Sequence, residues 1–295
     1  MIRICLSRQV VLAAMLGSGW VTPAVLHGQG IKSELPPETN IKRASGQTIQ
    51  PVFEGWQEYP DGRIGIWFGY LNRNFEEQID LPVGPLNTVD FTPGGDSGQP
   101  THFYPRRQKF LFKVDVPANF DKTKKVIWSV TAAGQKLTAT GWLQPEWQID
   151  DGTRMENNGG TPDPDNRAPE ITGIGPQTVA FGKILTLTAG ATDDGLPKPP
   201  PDLPRAKAGA APSNAPVRAR RAKGVTINWI AVRNPPGGGT ASFDPEDSGS
   251  PEYGKPVQST TQVTFSAPGN YWLRAVASDS SLEAVHDVKV TVTAK

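Results

Sequence analysis

One stretch, residues 261–279, TQVTFSAPGNYWLRAVASD, constrains the fold more than any other part of the chain. Val263 and Phe265 alternate with polar residues, as on one face of a strand. Pro268-Gly269-Asn270 marks a turn. Tyr271, Leu273, Ala275 and Ala277 then alternate along a second strand, which ends at Asp279. The pattern predicts two paired strands of a β-sandwich. Abundant Gly and Pro and the lack of strong helical periodicity extend the all-β expectation to the whole chain.

The first thirty residues read differently. Arg3 and Arg8 precede a short apolar run at 10–16, VVLAAML, and small residues follow at Ala24, Gly28 and Gly30. This layout predicts a secretory signal peptide over 1–30, too short to span a bilayer. Cys5, the single cysteine, lies ahead of the apolar run, so the expected mature chain has no disulfide and rests on packed cores. The chain has 30 basic and 29 acidic residues, and loss of Arg3 and Arg8 leaves a net charge of −1. That balance gives no general attraction to nucleic acid. No other apolar run is long enough for a transmembrane segment.

The rest divides into two predicted sandwiches. Residues 31–49, with Pro36-Pro37, read as a flexible tail. Residues 50–150 hold about seven strand patterns, a sandwich count. Strands over 50–59 and 63–72 flank the turn Pro60-Asp61-Gly62. Ile64, Ile66, Phe68 and Tyr70 share one face of the second, and Gly65, Trp67, Gly69 and Leu71 the other. A short strand is expected over 76–81 and a long loop over 84–105. A strand over 109–117 follows, then a hairpin of 125–131 and 136–143 about Ala133-Gly134. The polar run 151–168 reads as a flexible linker between the domains. Residues 169–295 form the second sandwich, with strands over 184–191, 224–232, 261–278 and 284–293. Within it, 197–223 holds seven Pro, seven basic residues and one acidic residue, and reads as a disordered basic insertion.

The second sandwich resembles the PKD and cadherin-like branch of immunoglobulin-like modules in bacterial secreted proteins. The residues that carry this are LTLTAGATDD at 185–194, VTINW at 225–229 and APGNYWLRAVASD at 267–279. The resemblance implies an immunoglobulin-like fold with Trp229 at the sandwich centre and Tyr271 tying one sheet to the other. The chain departs from it in the basic insertion and in lacking an aspartate-glycine signature after the tryptophan. The first sandwich resembles secreted bacterial proteins of uncharacterised role, through FGYLNRN at 68–74 and GQPTHFYPRR at 98–107.

Several residues admit a chemical reading beside a plain one. Asp193, Asp194 and Asp279 could converge on calcium, which takes six to eight oxygen ligands, or could simply cap turns. Trp56, Trp67, Trp142 and Trp147, with Tyr70 and Tyr104, would make a sugar-stacking face if exposed in a row, and a core otherwise. Ser97, His102 and Asp96 lack a nucleophile elbow, and one His without Cys is a poor zinc set. His286 reads as a satisfied sheet histidine. Glu54, Glu76, Glu77 and Glu146 would need a cleft to act as a glycosidase pair.

The sequence therefore points to a secreted or periplasmic protein of two β-sandwich domains that is not an enzyme and acts in binding or as a structural surface component. Its expected partner is a cell-surface polymer or protein, with calcium as the one candidate cofactor. A carbohydrate-binding accessory module is the alternative, and a carboxylate-based hydrolase the third reading.

Overall fold

The computed structural model describes residues 42–198, 224–248 and 252–294. The expected signal peptide, most of the tail and nearly all of the basic insertion lie outside these residues.

Strand β1 (Ile49–Glu58) and strand β2 (Ile64–Asn72) pair antiparallel across the turn at 59–63. The edge of β2 takes β6 (Arg106–Val116), giving the sheet β1-β2-β6. Facing it is β4-β7-β8, from Asn87–Asp90, Val126–Ala132 and Gln135–Gly141. Ala133 and Gly134 both have positive φ, as a two-residue hairpin turn between β7 and β8 demands. Ile66, Phe68 and Tyr70 point into the core with Trp128, Phe103 and Phe112. The opposite face of β2 is covered rather than bare. A Cβ on Gly69 would lie 2.1 Å from Glu54 Oε1, so the glycine makes room for the Glu54–Arg107 ion pair above it.

The expected loop 84–105 contains two strands, β4 and the short β5 (His102–Phe103), which pairs with β3 (Ile79–Asp80). The cause is Asn87. Its buried amide donates to the carbonyls of Leu81 and Pro100, and its Oδ1 accepts the Trp128 indole N–H at 3.0 Å. Turn-forming residues hid a structured segment organised by one polar side chain.

The second half packs β10-β16-β15-β12 against β13-β14-β11-β9. These are Gln177–Ala180, Glu283–Thr293, Gly269–Ser278 and Thr226–Arg233, and Ala241–Asp244, Val257–Phe265, Leu185–Thr192 and Glu170–Gly173. This is an immunoglobulin-like two-sheet sandwich. Here the structure corrects one expectation: β14 and β15 do not pair. β14 bonds β11 and β13, whereas β15 bonds β12 and β16, so residues 266–268 arch from one sheet to the other. Phe265 and Tyr271 meet across the core at 4.7 Å, and the Tyr271 hydroxyl donates to the Ala267 carbonyl at 2.8 Å, fastening the arch. Trp229 is fully buried and donates to Ser259 Oγ on the facing sheet at 3.0 Å.

The segment read as a linker opens with helix α1 (Asp151–Asn157), capped by Asp150, whose Oδ1 accepts from Thr153 N, and anchored by buried Met155. The two halves also bond directly. Thr101 N donates to Val232 O, Ala231 N to the Tyr104 hydroxyl, and Arg233 Nε to Gln99 O. Arg233 grips Asp96 through both terminal nitrogens, and Arg274 Nη1 donates to Leu111 O at 2.7 Å. Polar composition suggested a free hinge, but charged side chains with fixed partners form a seam.

Candidate functional site

The carboxylates singled out in the second half come from two strand ends. Asp279 ends β15 as a turn former: its Oδ1 accepts the N–H groups of Ser281 and Leu282 at 2.5 and 2.6 Å. Asp193 follows β11 and uses Oδ2 on Gly195 N at 3.0 Å. Asp194 spends both oxygens on backbone, taking Arg167 N and Leu196 N at 2.8 Å each. Turn chemistry thus accounts for one oxygen of Asp193, one of Asp279 and both of Asp194.

The remaining oxygens have no such explanation. Asp193 Oδ1 and Asp279 Oδ2 are buried without a hydrogen-bond partner, and so is Oδ1 of Asn166. Asn166 is 1% exposed, and its Nδ2 reaches Met155 Sδ at 3.7 Å. The Asn166 amide also lies against the Asp279 carboxyl and lowers its proton affinity, but leaves Oδ2 without a well-formed bond. Burial raises the Asp193 pKa to about 6, and the charges of Asp279 and Asp194 push it the same way. Burial likewise raises Asp279, with Asp194 adding to the rise. Two mutually repelling carboxylates and a buried amide oxygen therefore lack a positive counterpart. Among the described residues, no three His, Cys, Asp or Glu side chains form a metal-holding group, so any ion would rest on two carboxylates, the amide and water. An all-oxygen donor set suits a hard cation such as calcium, not zinc. Sequence reasoning missed Asn166 because it sits in the Asp/Pro-rich run read as linker. Its signal was an Asx residue just ahead of β9.

The four tryptophans do not form one row. Trp56 is 8% exposed and belongs to the core, with its indole N–H on Gln144 O at 2.7 Å. Trp67 is half-buried beside Phe110, under the Arg154 guanidinium at 5.0 Å. Trp142 and Trp147 each meet Phe53, at ring-centre distances of 6.0 and 5.4 Å. Trp147 is 44% exposed.

The hydrolytic candidates are engaged separately. Ser97 Oγ bonds Thr92 Oγ1, Asp96 holds Arg233, and buried His102 faces Asp80 and Gln78 at 2.9 Å each. His286 Nε2 meets Ile174 O. Glu54 pairs with Arg107 while burial raises its pKa; Glu77 accepts Gly46 N, and Glu146 lies on the exposed turn before Trp147. Glu76 is exposed.

No family model and no curated protein matches the chain. Solved structures do match. The N-terminal eight immunoglobulin domains of Down Syndrome Cell Adhesion Molecule are 11% identical over 84% of this chain, which spans 27% of that structure, with a TM-score of 0.24. The fibronectin(III)-like modules of Clostridium thermocellum CbhA are 11% identical, covering 84% and 95%, with a TM-score of 0.22. The D00-D0 domain of Intimin is 12% identical, covering 83% and 100%, with a TM-score of 0.25. Likenesses this slight assign neither ligand nor activity. No helix among the described residues is long and apolar enough to cross a membrane.

Proposed function

We propose that this chain is a non-catalytic binding or structural module of the cell surface or periplasm, and that a divalent cation, calcium by its ligand chemistry, fixes the start of its second sandwich. The observation that carries the reading is that Asn166, Asp193 and Asp279 each keep a buried, unpartnered oxygen while Asp279 interacts with both of the others. An ion there would join the segment after α1 to the ends of β11 and β15. The signal-like N terminus supports export.

Calcium at about 100 times its dissociation constant should stabilise the protein by about 2.7 kcal/mol in a thermal or urea melt, reversed by EDTA. Asp193→Asn should abolish that response, yet leave the EDTA-treated protein as stable or more so, since it removes a repelling charge. The pH dependence follows from the same geometry. In EDTA, Asp193 titrates at about 6 in the folded chain, above its ordinary value of 3.8. The folded chain binds the extra proton between these values, so stability falls as pH rises through that window. Calcium competes with that proton, so its effect should be largest above pH 6 and fade below. A melt indifferent to millimolar calcium and to EDTA at pH 7.5 would leave the aspartates as turn formers alone.

A further inference from the structure

The second candidate surface lies in the other half, and the cation reading leaves it unused. Trp142 and Trp147 both contact Phe53, whose ring lies within 23° of parallel to Trp142 and within 39° of Trp147. Phe53 also touches core Phe68 at 6.0 Å, so this shared ring is seated on the sandwich. Trp147 is held by its backbone. Pro145–Trp147 is a single 3-10 turn, clamped by the Trp56 indole N–H on Gln144 O and by Ile149 N on Trp56 O at 2.9 Å. Gly55 permits this approach, since a Cβ there would lie 2.8 Å from Trp147 O. Buried Trp56 thus acts as the support for an exposed Trp147. Neither the Trp142 nor the Trp147 indole N–H is bonded within the described residues, so both can donate outward.

We propose that these rings are a stacking platform for the pyranose rings of a neutral polysaccharide. Flat, rigid aromatic faces with free N–H donors at their edges match a sugar's apolar C–H face and its rim of hydroxyls. The charges beside the rings are one of each sign: Lys125 Nζ sits over the Trp142 ring, 5.8 Å from its centre, and Glu146 precedes Trp147. One charge of each sign favours neither an anionic nor a cationic ligand. Size argues against a protein partner, since a stable protein contact covers about 800 Å² a side and three part-buried rings offer far less.

The test is native electrophoresis of the full chain through gels containing mixed-linkage β-glucan, xylan, galactomannan or hydroxyethylcellulose, with tryptophan fluorescence titration against the same polymers. At least one polymer should retard the protein and give a saturable fluorescence change. Trp147→Ala and Trp142→Ala should each weaken binding about tenfold, the scale of losing one stacked ring. Phe91→Ala removes an exposed ring elsewhere on the same half and should change nothing. No retardation in any gel, or equal loss in Phe91→Ala, would overturn the proposal. So would Trp147→Ala binding as the parent does, or dissociating a self-associated form in sedimentation, which would make the rings a contact between copies. None of these outcomes bears on the calcium response.

Discussion

Trp229→Ala should lower the unfolding free energy of the second sandwich by about 3–5 kcal/mol, the range for truncating a fully buried aromatic. Trp229 has no exposed surface, and its indole N–H is the partner of Ser259 Oγ on the opposite sheet. Alanine therefore opens a cavity between the sheets and strands a buried hydroxyl. Against a typical total of about 5–15 kcal/mol, the loss approaches the margin that keeps a domain folded. Trp229→Phe should fall between, because it restores ring volume but not the bond. Guanidinium melts followed by circular dichroism measure both, and an unchanged midpoint for the alanine variant would refute the sandwich centre described above.

Arg274→Ala should cost about 2–3 kcal/mol and loosen the two halves from each other. The Arg274 side chain is 8% exposed; it bonds Asp287 through Nε and Nη2 at 2.7 and 3.1 Å and Leu111 O through Nη1. Alanine strands the Asp287 carboxylate and the Leu111 carbonyl together. Asp287 keeps some contact with water, which is why the cost stays below that of a wholly buried pair. Asp287→Asn, which retains an acceptor, should cost less. Denaturant melts give the energies, and small-angle scattering should show a larger radius of gyration for Arg274→Ala alone. Equal scattering for parent and variant, with no loss of stability, would mean the seam does not depend on this residue.

These outcomes separate what the sequence discloses from what it hides. Alternation put Ile66, Phe68 and Tyr70 on one face, which the structure shows to be the core face, and Ala133-Gly134 specified a hairpin, because period and turn chemistry are local. Alternation does not say which strand pairs with which. Val263, Phe265, Tyr271 and Leu273 fit a hairpin and a sheet-to-sheet arch equally well. The inward face of β14 also carries Ser259 and Thr261, a polar pattern that becomes intelligible only once Trp229 is seen to need a partner. Asn87, Asn166, Arg233 and Arg274 were illegible for one shared reason. Each is a polar residue with at least one partner far along the chain, Trp128 for Asn87, Asp279 for Asn166, Asp96 and Gln99 for Arg233 and Leu111 for Arg274, and composition alone assigns such residues to loop, linker or surface.

The parallel pairing of β10 with β16 has a mechanical consequence. Gln177–Ala180 runs beside 290–293, with its N-terminal end at Val290 and its C-terminal end at Thr293. Tension between the entry to this sandwich and the chain beyond residue 293 pulls the two strands in opposite directions along their common axis. The bonds between them are then loaded side by side, in shear, and must fail together; an antiparallel pair pulled at one end would peel one bond at a time. A sandwich that carries this pairing at its exit resists being drawn out as a thread.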